Sequence, residues 1–117
     1  MLLFVLWPGV RPSTPTDISA IKESNGISVT WREPLDSAVP IFNYVVEYKI
    51  GDSDWMQSDY LRLPTTSYLF TDTTGGEKHY FRVYSYGILA FSAASDTVSV
   101  DIPKGKINHQ ECTKIFR

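Results

Sequence analysis

Few side chains in this chain could do covalent or metal chemistry: two histidines, His79 and His109, one cysteine, Cys112, and scattered carboxylates. Nucleophilic catalysis needs a serine or cysteine beside a positioned histidine that a third group orients. His79 falls on an alternating stretch where it faces inward, which makes it a structural residue, and His109 lies near the C-terminus. His109 and Cys112, three apart, could give two metal ligands, but a structural zinc site needs about four and no others are spaced to join them. Asp52/Asp54 and Glu23/Glu33 sit in turns or loops, and paired-carboxylate hydrolysis needs a cleft. Gly75-Gly76 reads as a turn, not a phosphate loop. The expectation is a protein without catalytic residues, without a metal and without a cofactor.

Recognition chemistry is better represented. Tyr80, Arg82, Tyr84 and Tyr86 alternate along one stretch and would share one face of a strand. Tyrosine and arginine bury much area at low entropic cost and keep a polar handle, so they are enriched where proteins touch. The same residues also suit strands and can simply cover a sheet. A second candidate is the loop that follows, where Ile88, Leu89 and Phe91 form an apolar tip that either meets a partner or folds over the end of the domain. Reversing the charge of Arg82 together with Tyr84→Ala should abolish partner capture with little effect on the melting temperature.

Composition narrows the classes. At 117 residues the chain fits one domain with a sizeable core. A net charge of -2 without a lysine/arginine block removes the electrostatic footprint of a nucleic-acid binder. At 43% hydrophobic and 14% aromatic, the chain is too apolar for disorder and leans towards strands. With a single cysteine no intrachain disulfide can form, which leaves the compartment open. Asn25, Asn43 and Asn108 each lack the hydroxyl residue of a glycosylation sequon, and no Arg-Gly-Asp occurs. The apolar run Met1–Trp7 is too short for a membrane span and lacks the parts of a signal peptide, so no membrane insertion by this segment is expected. It reads as a signal remnant or the end of a preceding segment, or else as an alternative start or artificial lead.

The elements that must position these residues are strands. Ile27, Val29 and Trp31 alternate with Ser28 and Thr30, the signature of a strand with one buried face. Before it, Asp17–Lys22 reads as an edge strand with Ile18 and either Ala20 or Ile21 inward, turned by Ser24-Asn25-Gly26. After a proline-broken connection, residues 41–50 put Tyr44, Val46 and Tyr48 on one face and Asn43, Val45, Glu47 and Lys49 on the other. Residues 55–57 read as a short edge strand, and 61–66 as irregular around Pro64. Strands over 67–71, 79–86 and 97–102 follow, with Tyr68 and Phe70, then His79, Phe81, Val83 and Ser85, then Val98, Val100 and Ile102 inward. Seven short strands with turns between them and no helical period predict an all-β, two-sheet antiparallel sandwich.

From Pro12 to Pro103 the chain resembles a fibronectin type III domain. The resemblance rests on Pro12 and Pro15, Trp31, Pro34 and Asp36, Pro40-Ile41, the Tyr44-x-Val46-x-Tyr48 strand, Trp55 and Phe81-Arg82-Val83. It implies the seven-stranded immunoglobulin-like sandwich, with residues 1–11 a lead or linker and 104–117 a tail or linker. Two departures stand out: His79 takes the place of the corner tyrosine whose hydroxyl ties a turn to backbone, unless a one-residue slip gives that role to Tyr80. The serine–proline signature before the last strand becomes Ser92-Ala93-Ala94-Ser95. The resemblance implies a non-catalytic spacer and protein-protein interaction unit of a larger cell-surface adhesion/receptor or matrix protein. Its partners would be a protein and the neighbouring domains of the parent chain, outside the cell or at its surface. An intracellular elastic or scaffolding module of a giant muscle-type protein is the second reading. A cytokine-receptor-like ligand-binding domain is the third, on the loose likeness of Phe91-Ser92-Ala93-Ala94-Ser95 to Trp-Ser-x-Trp-Ser.

Overall fold

A computed structural model describes residues 10–104. The N-terminal lead up to Gly9, most of the tail, His109 and Cys112 lie outside the described residues, and with them the two-ligand metal reading. The described residues form eight strand segments: β1 Thr16–Glu23, β2 Gly26–Arg32, β3 Asn43–Ile50, β4 Met56–Gln57, β5 Leu61–Arg62, β6 Ser67–Phe70, β7 Lys78–Tyr86 and β8 Val98–Asp101. One sheet runs β1-β2-β6; the other runs β4-β3-β7-β8, with β5 also paired to β3. All pairings are antiparallel. The seven expected strands are therefore present. The stretch read as irregular around Pro64 contributes an additional pair of residues, because Leu61 and Arg62 reach Tyr44 and Asn43 before the chain leaves the sheet.

Alternation places the core. Ile27, Val29 and Trp31 of β2, Tyr44 and Val46 of β3, Phe70 of β6, and Phe81 and Val83 of β7 are buried between the sheets in one cluster. Aromatic edges lock it: Trp31 meets Tyr44 at 5.5 Å between ring centroids, and Phe70 meets Phe81 at 5.5 Å and Tyr48 at 4.8 Å. On β1, Ala20 pairs with buried Val29 and packs inward, whereas Ile21 is 58% exposed. A bulge between Thr16 and Ser19, with Asp17 at φ +53°, precedes this register. Gly26 closes the β1–β2 turn at φ +152°, where a side chain would run into the carbonyl of Phe70.

Between β7 and β8 the backbone of β7 needs partners before the last strand begins. Ser92 and Ser95 supply them, each accepting on Oγ from the Ser85 and Val83 amides (2.9 and 2.8 Å) and returning its own N–H to the same residues' carbonyls. The serines of the altered signature thus complete β7 without a proline. At the opposite end of the chain, Pro12 and Pro15 are buried and Thr14 Oγ1 donates to the Ala93 carbonyl. This ties the N-terminal segment to the β7–β8 connection.

Candidate interaction surface

The β3–β7 register, Asn43↔Tyr86 through Ile50↔His79, decides what stands on the outer face of the larger sheet. Glu47 lies opposite Arg82, Val45 opposite Tyr84 and Lys49 opposite Tyr80. Glu47 Oε1 accepts from both Arg82 Nε (2.7 Å) and Tyr84 Oη (2.9 Å), with the Arg82 and Glu47 side chains only 26% and 14% exposed. The Arg82 guanidinium stacks 3.9 Å from the Trp55 ring, and Lys49 sits 5.4 Å from Trp55 and 5.2 Å from Tyr80. All three are cation–π distances.

Beyond Tyr84 the packing continues through aromatic rings. Arg82 reaches Tyr84 at 5.8 Å, Tyr84 meets Phe91 at 6.1 Å, Phe91 meets Tyr86 at 4.6 Å, and Tyr86 meets Tyr60 at 5.1 Å. Eight side chains, Tyr80, Lys49, Trp55, Arg82, Tyr84, Phe91, Tyr86 and Tyr60, therefore form one unbroken ladder across the face. Beneath it Val45 is wholly buried, although its side of β3 points away from the core. A small open pocket of about 150 Å³ remains between Glu47, Gln57, Tyr84 and Phe91. Burial first, then the hydrogen bond and charge of Glu47, push the Tyr84 phenol above its ordinary value, partly offset by Arg82.

Five of the seven residues singled out from sequence meet in this ladder: Tyr80, Arg82, Tyr84, Tyr86 and Phe91. Ile88 and Leu89 do not, and remain 56% and 82% exposed at the turn. Phe91 is withdrawn from the expected apolar tip because it bridges to Tyr86 and lays its ring on the sheet. The expectation that Arg82 and Tyr84 can be altered at little structural cost is also corrected. Both bind the nearly buried Glu47, so replacing them leaves a carboxylate short of partners. Trp55 and Tyr60 were missed as members; Trp55 is marked by its place after the β3 turn, whereas no local pattern marks Tyr60.

His79 is fully buried and belongs to a different device. Its Nε2 accepts from the Thr74 amide at 3.0 Å, so Nδ1 carries the proton and donates to the Glu77 carbonyl at 3.1 Å. The imidazole thus ties the β6–β7 turn to backbone in place of a corner tyrosine, and Phe81 and Val83 keep their inward register. Among the described residues no three His, Cys, Asp or Glu side chains converge as a metal site would require.

The fibronectin type III domain profile matches residues 13–101. Protein turtle of Drosophila melanogaster is 30% identical over 107 residues, which cover 90% of this chain but 7% of that protein's length. Among solved structures, the chicken CNTN1 FN1-FN3 domains superpose with a TM-score of 0.68 at 17% identity, over 77% of this chain and 30% of that one. Domains A168–A170 of titin superpose at 0.67 and 24% identity, over 80% and 32%. At those identities the two structures share the fold. Strand order, core and profile agree: the chain belongs to the fibronectin type III domain family.

Proposed function

We propose that this chain is a non-catalytic spacer and protein-protein interaction module of a larger cell-surface adhesion/receptor or matrix protein, and that it contacts its partner through the outer face of β4-β3-β7-β8. The eight-membered ladder carries this reading. It presents large amphipathic side chains already held in place by their neighbours, so little rotamer entropy is lost when a partner covers them. The likeness to a short part of a much longer protein supports the view that the module works within a modular chain.

The test uses Tyr80 and Tyr86, ladder members that can be shortened without touching Glu47. Beads carrying the wild-type chain or a Tyr80→Ala/Tyr86→Ala variant are compared for capture from matrix and membrane fractions. The variant should lose captured protein while keeping a cooperative melting transition. Undiminished capture would refute the assignment of this face, and loss on Leu89→Ser instead would move it to the Ile88-Leu89 turn.

A further inference from the structure

The outer face has a charge pattern of its own, and its meaning rests on the reading of that face as a contact surface. Its strands carry four cations, Lys49, Arg62, Lys78 and Arg82, against two carboxylates, Glu47 and Asp101, and Arg11 lines an open hollow with Tyr84 and Phe91. Both carboxylates are taken: Glu47 by Arg82 at 2.7 Å and Asp101 by Lys78 at 3.8 Å. Neither Lys49 nor Arg62 has a carboxylate partner among the described residues. In a chain of net charge -2, the strands of the face that carries the aromatic ladder thus bear twice as many cations as carboxylates.

Position gives this surplus a length. Arg62 lies opposite Asn43, and Lys49 is six residues further along β3. At the rise of a strand, the two cations stand ~20 Å apart at opposite ends of the ladder. Lys49 is already steered by Trp55 and Tyr80, which limits its freedom before any anion arrives. An extended peptide has the same rise per residue and places alternate side chains on one side. We propose that the face binds an extended acidic segment of a partner protein. Its two carboxylates, about six residues apart, meet Lys49 and Arg62, and its intervening apolar or aromatic side chains lie on Tyr80, Tyr84, Phe91 and Tyr86.

A random peptide library displayed on phage is selected against the whole 117-residue chain and counter-selected on the Tyr80→Ala/Tyr86→Ala variant. Enriched sequences should carry paired acidic residues at the stated spacing. Lys49→Glu and Arg62→Glu should each weaken their binding about tenfold, and affinity should fall as salt rises. Neutral or basic sequences that still need Tyr80 and Tyr86, or acidic ones indifferent to Lys49→Glu and Arg62→Glu, overturn the proposal while leaving the contact face standing. Absence of any peptide dependent on Tyr80 and Tyr86 overturns both. Two further results defeat the acidic-peptide assignment: a heparin fragment that occupies the ladder when the peptides do not, and self-association in sedimentation that the tyrosine variant loses.

Discussion

The two sheets turn very different faces to solvent. On β1-β2-β6 the outward rows are Ser19–Thr30–Ser67 and Ile21–Ser28–Leu69, short side chains with Ile21 and Leu69 left partly open at 58% and 40% exposure. On β4-β3-β7-β8 the outward side chains are long enough to lie along the sheet and touch one another, and they bury Val45 completely. One sandwich thus has a single core but, on one side only, a second packed layer. Period-2 alternation separates inside from outside; it does not say that outside means solvated.

The scale is set by a true core residue. Phe81→Ala should lose ~3–5 kcal/mol in urea unfolding, the usual cost of emptying a large aromatic site. Its strand neighbour tests the second layer: Arg82→Glu sets a carboxylate against Glu47 and should lose ~2 kcal/mol, well above an ordinary surface change. If it costs no more than a substitution on the other sheet, the contrast between the faces collapses.

Tyrosine titration compares inside with outside at finer scale. Tyr44, wholly buried with a hydroxyl that has no hydrogen-bond partner among the described residues, is pushed up to about 12 by burial and then by Glu33. A raised phenol favours the folded chain below the ordinary tyrosine value of 10, and that contribution drains away as pH climbs to about 12. Tyr44→Phe should therefore be neutral or stabilising by up to ~1 kcal/mol near neutrality and should flatten the alkaline loss of stability. A steeper alkaline loss in the variant would contradict it. Glu47→Gln should lower the Tyr84 phenol towards its normal value in ultraviolet titration, because Glu47 is one of the groups that raise it. Smallest of all, Thr30→Glu on the hydroxyl-lined face should stay within ~0.5 kcal/mol of wild type.

Much of the fold was legible because one buried face per strand writes itself as alternation. The inward set of β7, the turn at Asn25-Gly26 and the core role of Trp31 follow from that pattern alone. Ala20 over Ile21 did not, since both fit an edge strand until pairing with Val29 chooses between them. Phe91 was readable as apolar but not as a ladder member, because its bridge to Tyr86 depends on how the β7–β8 connection folds back. His79 was legible as inward, and the altered corner followed from its position relative to Phe81; which backbone groups its ring would hold did not.

By itself, then, the sequence determined seven of the eight strand segments, the buried face of β2, β3, β6, β7 and β8, the family and the alternating Tyr80-Arg82-Tyr84-Tyr86 stripe. Only the tertiary structure decided that Arg82 is spent on Glu47 and Trp55, that Tyr60, Trp55 and Phe91 join the stripe, and that Lys49 and Arg62 keep unpaired charge at its ends. The physical reason is range. Alternation is a property of neighbours along one strand, whereas these contacts join different segments of the chain, brought together by register and loop path.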